Sequence, residues 1–279
     1  MNKKEIKTVV IPAAGYGSRL FPASMTLSKI LFPIGNKTIL SFILEECMFA
    51  GIKNLIFIIS PEQLDIVKYL TIDNLNTLLK KFPKSNELNL HKSYLESFDS
   101  IKFVIQSKAR GLGDAILQAQ KSLEYDEDFA VILGDNPIIT ENTLGISELL
   151  KVYYNNPKNN VLGLVKVKDE DVSKYGIASI DEDRNNLVTG VIEKPKNIPC
   201  SNNAIMGRYI FKYNIFDYLK ANKKITPSSR ELDLSGALND TLNDSRNISG
   251  CLIQAEVEDT GNVDGYLLAI KKYDEQRIK

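Results

Sequence analysis

From residue 8 to about residue 180, short runs of β-branched and other apolar residues alternate with longer stretches whose apolar side chains recur every three or four positions. The short runs predict buried strands and the longer stretches predict amphipathic helices. In alternation they predict strand–helix–strand crossovers stacked into a parallel sheet with helices on its faces, an α/β architecture. Strands are expected over residues 9–11, 55–59, 102–105, 130–133 and 161–167, with later ones over 187–192 and 251–257. A helix is expected over residues 39–50, where Ile39, Phe42, Ile43, Glu46, Cys47 and Ala50 share one helical spacing and Gly51 supplies the C-cap. A terminal amphipathic helix is expected over 263–278. The stretch 69–100, rich in Asn, Lys and Ser with scattered leucines, reads as a polar helical insertion or a flexible loop outside the sheet.

Composition narrows the partners. The chain has 279 residues, 43% of them hydrophobic, enough for a sizeable core in one large domain. Lys plus Arg and Asp plus Glu are equal at 35 each, so net charge offers no surface for nucleic acid or an acidic membrane. A small-molecule partner is the expectation. The N-terminal apolar run is short and ends at Pro12, unlike a signal peptide or a membrane span, which makes the cytoplasm the expected location. Cys47, Cys200 and Cys251 are odd in number and far apart, as suits reduced, half-buried fillers. His91 lies in the polar stretch and is expected in solvent, which disfavours histidine-based triads and histidine metal sites.

Candidate chemistry begins at the first strand, which runs into Ala13-Ala14-Gly15-Tyr16-Gly17-Ser18-Arg19-Leu20, with Lys29 ten residues beyond the arginine. Two glycines let the backbone turn sharply and aim N–H groups at an anion, and two cations are at hand to balance phosphate charge. The same Gly-x-Gly opens ordinary tight turns. A dinucleotide fold needs a third glycine where Leu20 stands, and a P-loop needs a wider glycine spacing and a Gly-Lys-Ser/Thr ending. Asp135, in Leu133-Gly134-Asp135-Asn136-Pro137, follows a predicted strand, and Asp259, in Glu258-Asp259-Thr260-Gly261-Asn262, follows the last one. Two carboxylates from strand ends describe a magnesium site completed by water and phosphate oxygens, although Gly-Asp-Asn-Pro serves equally well as turn chemistry. Gln106, before the turn at Gly111, either pairs with a base edge or caps a loop. Glu193-Lys194-Pro195-Lys196 closes another apolar run, where a charged quartet is ordinarily a solvated strand end.

In order along nearly the whole chain, these segments, together with Ala50-Gly51-Ile52, Tyr175-Gly176-Ile177, Ser201-Asn202 and Gly207-Arg208-Tyr209, resemble the nucleotidyltransferases that make nucleoside-diphosphate sugars. The bacterial UTP:glucose-1-phosphate uridylyltransferases and the glucose-1-phosphate thymidylyltransferases are the branches concerned. The resemblance implies a three-layer, Rossmann-like, mixed and mostly parallel sheet of the GT-A-like type. It implies a nucleotide-binding half over about 1–140, a sugar-binding part over about 141–262 and a C-terminal helix over about 263–279. Ala13, Ala14, Gly15, Gly17 and Ser18 would meet the nucleotide with Gln106 and Gly111 reading the base. Arg19, Lys29, Asp135 and Lys194 would be catalytic, and Asp135 and Asp259 would hold Mg2+. Gly176, Glu193, Lys194 and Arg208 would bind the sugar phosphate. Implied substrates are UTP and glucose 1-phosphate, the product UDP-glucose serves polysaccharide or glycolipid synthesis, and a homo-dimer or tetramer is expected.

Three positions depart from the uridylyltransferase pattern. The lysine segment there usually reads Pro-Lys-Glu, whereas this chain has Ser28-Lys29-Ile30, and an upstream base is replaced by Met25. Ser28-Lys29 and the run from Arg230 to Ser235 look more like the thymidylyltransferases, while Gly207-Arg208-Tyr209 and Asp259-Thr260-Gly261-Asn262 look like the uridylyltransferases. One methyl separates the two bases, a difference worth roughly 1–3 kcal/mol in a pocket. Another sugar 1-phosphate, thymidylyl transfer, or a non-catalytic nucleotide-sugar sensor on the same frame are the competing readings.

Overall fold

A computed structural model describes residues 5–139, 145–197, 201–227, 230–244, 247–254 and 257–277. The first strand, β1 (Thr8–Pro12), pairs in parallel with β4 (Asn54–Ile59) and β6 (Phe129–Ile132), and β4 pairs in parallel with β5 (Ser100–Ile105). A short antiparallel pair, β2 (Pro33–Ile34) and β3 (Lys37–Thr38), leads into the first helix, α1 (Ile39–Phe49). The alternation that predicts buried strands is visible in the packing. Val9 and Ile11 enter one core and Val10 the other, just as Leu55, Phe57 and Ile59 oppose Ile56 and Ile58. Helix α1 begins with a capping box, in which Thr38 Oγ1 accepts from Ser41 N at 3.1 Å and Thr38 N donates to Ser41 Oγ at 3.2 Å. It ends as its glycine predicts. Gly51 takes φ 75°, and the Ile52 and Gly51 amides return to the Cys47 and Met48 carbonyls at 3.0 Å each.

The polar stretch after β4 is helical, as α2 (Leu64–Leu70), α3 (Ile72–Lys81) and α4 (Asn86–Glu96). One of its expectations fails. His91 is half-buried against Tyr69, with ring centroids 4.4 Å apart and Nε2 3.0 Å from the Tyr69 carbonyl, and burial lowers its pKa from the ordinary value. The scattered leucines explain the difference, because Leu75 and Leu95 seat α3 and α4 on the core and draw the intervening histidine in. Cys47 and Cys251 are free, as expected, but fully rather than half-buried, while Cys200 lies outside the described residues.

Beyond α5 (Leu112–Gln118), β6 and α6 (Gly145–Asn155), the sheet changes character. Strands β7 (Asn160–Lys166), β8 (Gly176–Asp181), β9 (Leu187–Glu193) and β10 (Asn203–Phe211) follow, then α7 (Ile215–Ile225), α8 (Ser235–Asn243), β11 (Ile248–Leu252) and α9 (Val263–Arg277). The order is β5-β4-β1-β6-β10-β7-β11-β9-β8, so a parallel half is joined by the antiparallel strand β10 to a mixed half. Strand β11 starts three residues before the predicted 251–257 run and stops at Leu252; Val257 instead makes an isolated bridge to Ile138. Helices α1 to α4 and α6 cover one face and α5, α7 and α8 the other, giving three layers. No helix among the described residues is long and apolar enough to cross a membrane.

Sequence pattern alone does not reveal β10, because a charge sits in the middle of it. Arg208, expected at the sugar phosphate, is instead completely buried, so that expectation is corrected. Its Nη2 donates to Glu46 Oε2 at 2.6 Å and its Nε to Glu46 Oε1 at 3.2 Å, and Nη1 donates to the Asn136 carbonyl. Glu46 Oε1 also accepts the Ile146 amide at 2.8 Å. Gly207, at φ 71°, marks the register shift beside this arginine, where an added Cβ would lie 2.9 Å from the Leu133 side chain. The helical spacing that put Glu46 among core positions is correct, and the buried guanidinium is what makes that place tolerable.

Removing one member of this pair strands the other. Glu46→Ala and Arg208→Ala should each cost about 3–5 kcal/mol in equilibrium unfolding, whereas Glu46→Leu combined with Arg208→Met should cost much less than the sum. Additive losses in the double variant would show that the two side chains contribute independently.

Candidate active site

The C-terminal ends of the parallel strands carry the glycine loop. Ala13 and Ala14 are buried where β1 ends, the Ala13 amide donating to the Ile58 carbonyl at 2.8 Å and the Ala13 carbonyl accepting Gln63 Nε2 at 2.8 Å. Gln63 Oε1 in turn accepts the Ser60 amide at 2.8 Å, so one buried glutamine ties the loop to β4. Gly15, Ser18 and Arg19 are exposed. Gly17 takes φ 64°, its carbonyl held by Ser24 Oγ at 2.7 Å and by the Leu20 amide at 2.8 Å. These bonds turn the loop over a 3-10 turn, Lys29–Leu31, whose lysine ammonium lies 3.9 Å from where a Cβ on Gly15 would sit.

Lys29 Nζ forms an ion pair with Asp135 Oδ2, both side chains being mostly shielded from solvent. Asp135 follows β6, and its neighbour segment is fastened to the end of the chain. Thr260 N and Oγ1 donate to the Asp135 carbonyl at 2.9 and 2.7 Å, and the Glu258 amide donates to the Pro137 carbonyl at 3.0 Å. This short ladder brings the second carboxylate in. A Cβ on Gly261 would lie 3.0 Å from both Asp135 Oδ2 and Asp259 Oδ1, so a glycine is what allows the two acids to flank one point. Asp259 is oriented by the Gly261 amide at 3.0 Å and by Asn262 Nδ2 at 3.1 Å.

On the far side of these acids lies a cavity of about 280 Å3, lined among others by Asp135, Tyr175, Gly176, Glu193, Lys194 and Asp259. Gly176 and Glu193 are cross-strand partners in β8 and β9, and the Glu193 carboxylate approaches to 3.0 Å of a Cβ placed on Gly176. Ser235 Oγ donates to Glu193 Oε2 at 3.3 Å and Lys194 Nζ lies 3.5 Å from Oε1. Lys194 holds φ 41°, a strained setting for a residue with a long side chain, and its amide donates to the Tyr175 carbonyl at 3.1 Å. Burial first and then the Asp259 charge raise the Tyr175 pKa above its ordinary value.

Gln106 and Gly111 form a third group. Gln106 is buried at the end of β5, where its Nε2 donates to Asp114 Oδ2 at 2.9 Å; Lys223 Nζ holds Asp114 Oδ1 at 2.8 Å. Burial works against the Asp114 charge, yet the bonds from Gln106 and Lys223 bring its pKa below the ordinary carboxylate value. Because that carboxylate only accepts, the Gln106 amide must turn its NH2 group inward. Gly111, at φ 88°, abuts residues 231 and 232, with an added Cβ only 2.8 Å from the Leu232 carbonyl.

The structure thus gathers Lys29, Asp135 and Asp259 between the glycine loop on one side and Gly176, Glu193 and Lys194 on the other. Arg19 lies exposed on the loop, Gln106 and Gly111 stand at the neighbouring strand end, and Arg208 is outside the group. Reasoning from the sequence missed the cavity walls supplied by Tyr209, Glu231, Asp233 and Ser235. Two motifs noted without a role for these residues, Gly207-Arg208-Tyr209 and the run from Arg230 to Ser235, pointed toward them.

Comparison with known proteins follows the same outline. The chain is 36% identical over 78% of its length, and 76% of the relative's, to the UTP--glucose-1-phosphate uridylyltransferase of Mycoplasma genitalium. It is 33% identical over 94% of its length, and 91% of the relative's, to UTP--glucose-1-phosphate uridylyltransferase 1 of Staphylococcus saprophyticus. Among solved structures, a UTP-bound UGPase from Acinetobacter baumannii superposes with a TM-score of 0.84 at 26% identity, covering 96% of this chain and 93% of that one. Residues 8–276 match the family model for nucleotidyl transferases, and with the glycine loop, the two converging aspartates and the lysine paired with Asp135, the chain is a member of the nucleotidyl transferase family.

Proposed function

We propose that the protein joins UTP and glucose 1-phosphate into UDP-glucose and pyrophosphate in a Mg2+-dependent reaction. The observation that carries this reading is the meeting of Asp135, Asp259 and Lys29 between a glycine loop and a carboxylate- and lysine-lined cavity. A relative matched over 94% of this chain and another matched over 77% of it bear that activity in their names.

The donor set suits a hard divalent ion. Among the described residues no group of three His, Cys, Asp or Glu side chains is placed to hold a metal ion, and two carboxylates are what Mg2+ takes when water and substrate phosphate oxygens complete its shell. When bound, the ion would supply positive charge against the phosphates. Asp135 and Asp259 would hold it, and the backbone of Ala13, Ala14, Gly15, Gly17 and Ser18 would face the triphosphate with Arg19 and Lys29. Gln106, its NH2 group engaged by Asp114, would turn an oxygen toward the base beside Gly111. Glu193 would accept sugar hydroxyls, Gly176 lets the sugar approach the backbone, and Lys194 would bind the sugar phosphate.

No general base is required. The phosphate oxygen of the sugar 1-phosphate is already ionised near neutral pH, so it attacks the α-phosphorus directly, a new P–O bond forms, and the bond to the β-phosphate breaks to release pyrophosphate. The chain must overcome repulsion between two anions and align them, which is the task of Arg19, Lys29 and Lys194. A protein with a single histidine is adequate to this chemistry.

Pyrophosphate release, measured across UTP, dTTP, CTP, ATP and GTP against glucose, galactose, N-acetylglucosamine and mannose 1-phosphates, should be confined to UTP with glucose 1-phosphate. Turnover with dTTP or another sugar would keep the mechanism and correct the substrates, whereas silence with UDP-glucose still binding would identify a sensor. Lys29→Ala should lower turnover by roughly 10²–10³-fold while changing the KM for glucose 1-phosphate little, since its contact gains strength as charge moves to the leaving group. Equal changes in both constants would assign it to ground-state binding. Asp135→Asn should flatten the dependence of turnover on Mg2+ concentration, and an unaltered magnesium titration would remove Asp135 from the metal site.

A further inference from the structure

Lys29 reaches Asp135 from a 3-10 turn only three residues long, which has few hydrogen bonds of its own with which to fix its direction. What holds the start of that turn is a side chain from elsewhere in the fold. Asp65, in the first turn of α2, accepts the Ser28 amide on Oδ2 at 2.6 Å and the Ser28 hydroxyl on Oδ1 at 2.7 Å. Its Oδ1 also accepts the Ile66 amide at 2.9 Å, which orients the carboxylate from its own helix. Ser28 is buried, and the Leu31 amide returns to the Ser28 carbonyl at 2.8 Å, so the residue gripped by Asp65 is the one on which the lysine turn is wound.

The backbone of Ser28 adds a second observation. It sits at φ −57°, within the range that a proline ring would impose. Ser28 has no ring to impose it. The two-toothed bond to Asp65 restrains the same torsion from outside, and it needs the N–H that proline lacks.

We infer that Asp65 is a positioning residue for Lys29: through Ser28 it aims the lysine turn at the reacting phosphates without touching substrate. This rests on the role proposed for Lys29. Displacements of about 1 Å at a reacting centre can cost on the order of a hundredfold, so a loosened turn should be read in turnover before it is read in binding.

The test is a kinetic cycle on the full chain with UTP, glucose 1-phosphate and Mg2+, measuring kcat and both KM values for Asp65→Ala, Asp65→Asn, Ser28→Ala and Ser28→Ala combined with Asp65→Ala. Asp65→Ala should lower kcat by about tenfold to a hundredfold, with the KM for glucose 1-phosphate within about twofold of the parent and the thermal unfolding midpoint little changed. Asp65→Asn, which keeps one acceptor oxygen, should recover part of the loss. Adding Ser28→Ala to Asp65→Ala should cost almost nothing more, because the Ser28 hydroxyl acts through the Asp65 carboxylate that is already gone. Parent-like turnover in Asp65→Ala, or losses in the double variant that multiply, would overturn the inference. If Asp65→Ala proves too unstable to assay, Asp65→Asn and Ser28→Ala still decide it by the split between kcat and KM. Lys29→Ala separates the two levels of the argument. Full activity in that variant would refute the reading of the lysine itself, whereas an inactive Lys29→Ala beside an unimpaired Asp65→Ala would refute only the positioning.

Discussion

The contact on which the rest of this structure depends is the buried pair between Arg208 and Glu46. It is one guanidinium reaching three elements at once: α1 through Glu46, the first turn of α6 through the same carboxylate, and the loop after β6 through the Asn136 carbonyl. Desolvating two charges is expensive, and the cost is offset only because nearly every donor and acceptor of the pair is used. What the chain gains is a fixed height for the loop carrying Asp135 relative to the helix layer. A pair of apolar residues could fill the space, but would bring no directional hold on the Asn136 carbonyl next to that carboxylate.

Much of the frame was legible in the pattern of apolar positions, and the reason is local. Strands β1, β4 and β5 are runs of β-branched residues bounded by Pro, Ser and Gln, and α1 carries its own start and stop signals in Thr38 and Gly51. The second half of the sheet was harder to read because its residues are set by distant partners. Strand β10 contains Gly207 and Arg208, a break and a charge that argue against a strand until Glu46, 162 positions away in sequence, is placed beside them. His91 was misread for the same reason, since nothing near it in sequence announces Tyr69 as its neighbour.

The site shows a similar division. Gly15, Lys29, Asp135, Glu193 and Asp259 stand out in the sequence, and folding brings them together around Asp135, with Gly15 and Lys29 on one side and Glu193 and Asp259 on the shared cavity. The residues that hold them are ordinary in composition. Gln63, Ser24, Asp65 and Lys223 each make bonds that only tertiary structure reveals. Positively charged groups act here on tethers: Lys29 is neutralised by Asp135, and Lys194 lies beside Glu193.

The placement of β10 has a bearing on how the molecule can be divided. It is the seam between the parallel half and the rest, pairing with β6 along one edge and with β7 and β8 along the other. A fragment cut near residue 140 would keep β5, β4, β1 and β6 in order, yet it would leave β6, whose four residues are all buried, as a bare hydrophobic edge. Such edges recruit other chains. Gene fusions, splits or circular permutations that sever β10 from β6 would therefore yield self-associating halves, and any viable division of this sheet must keep β6 and β10 in one piece.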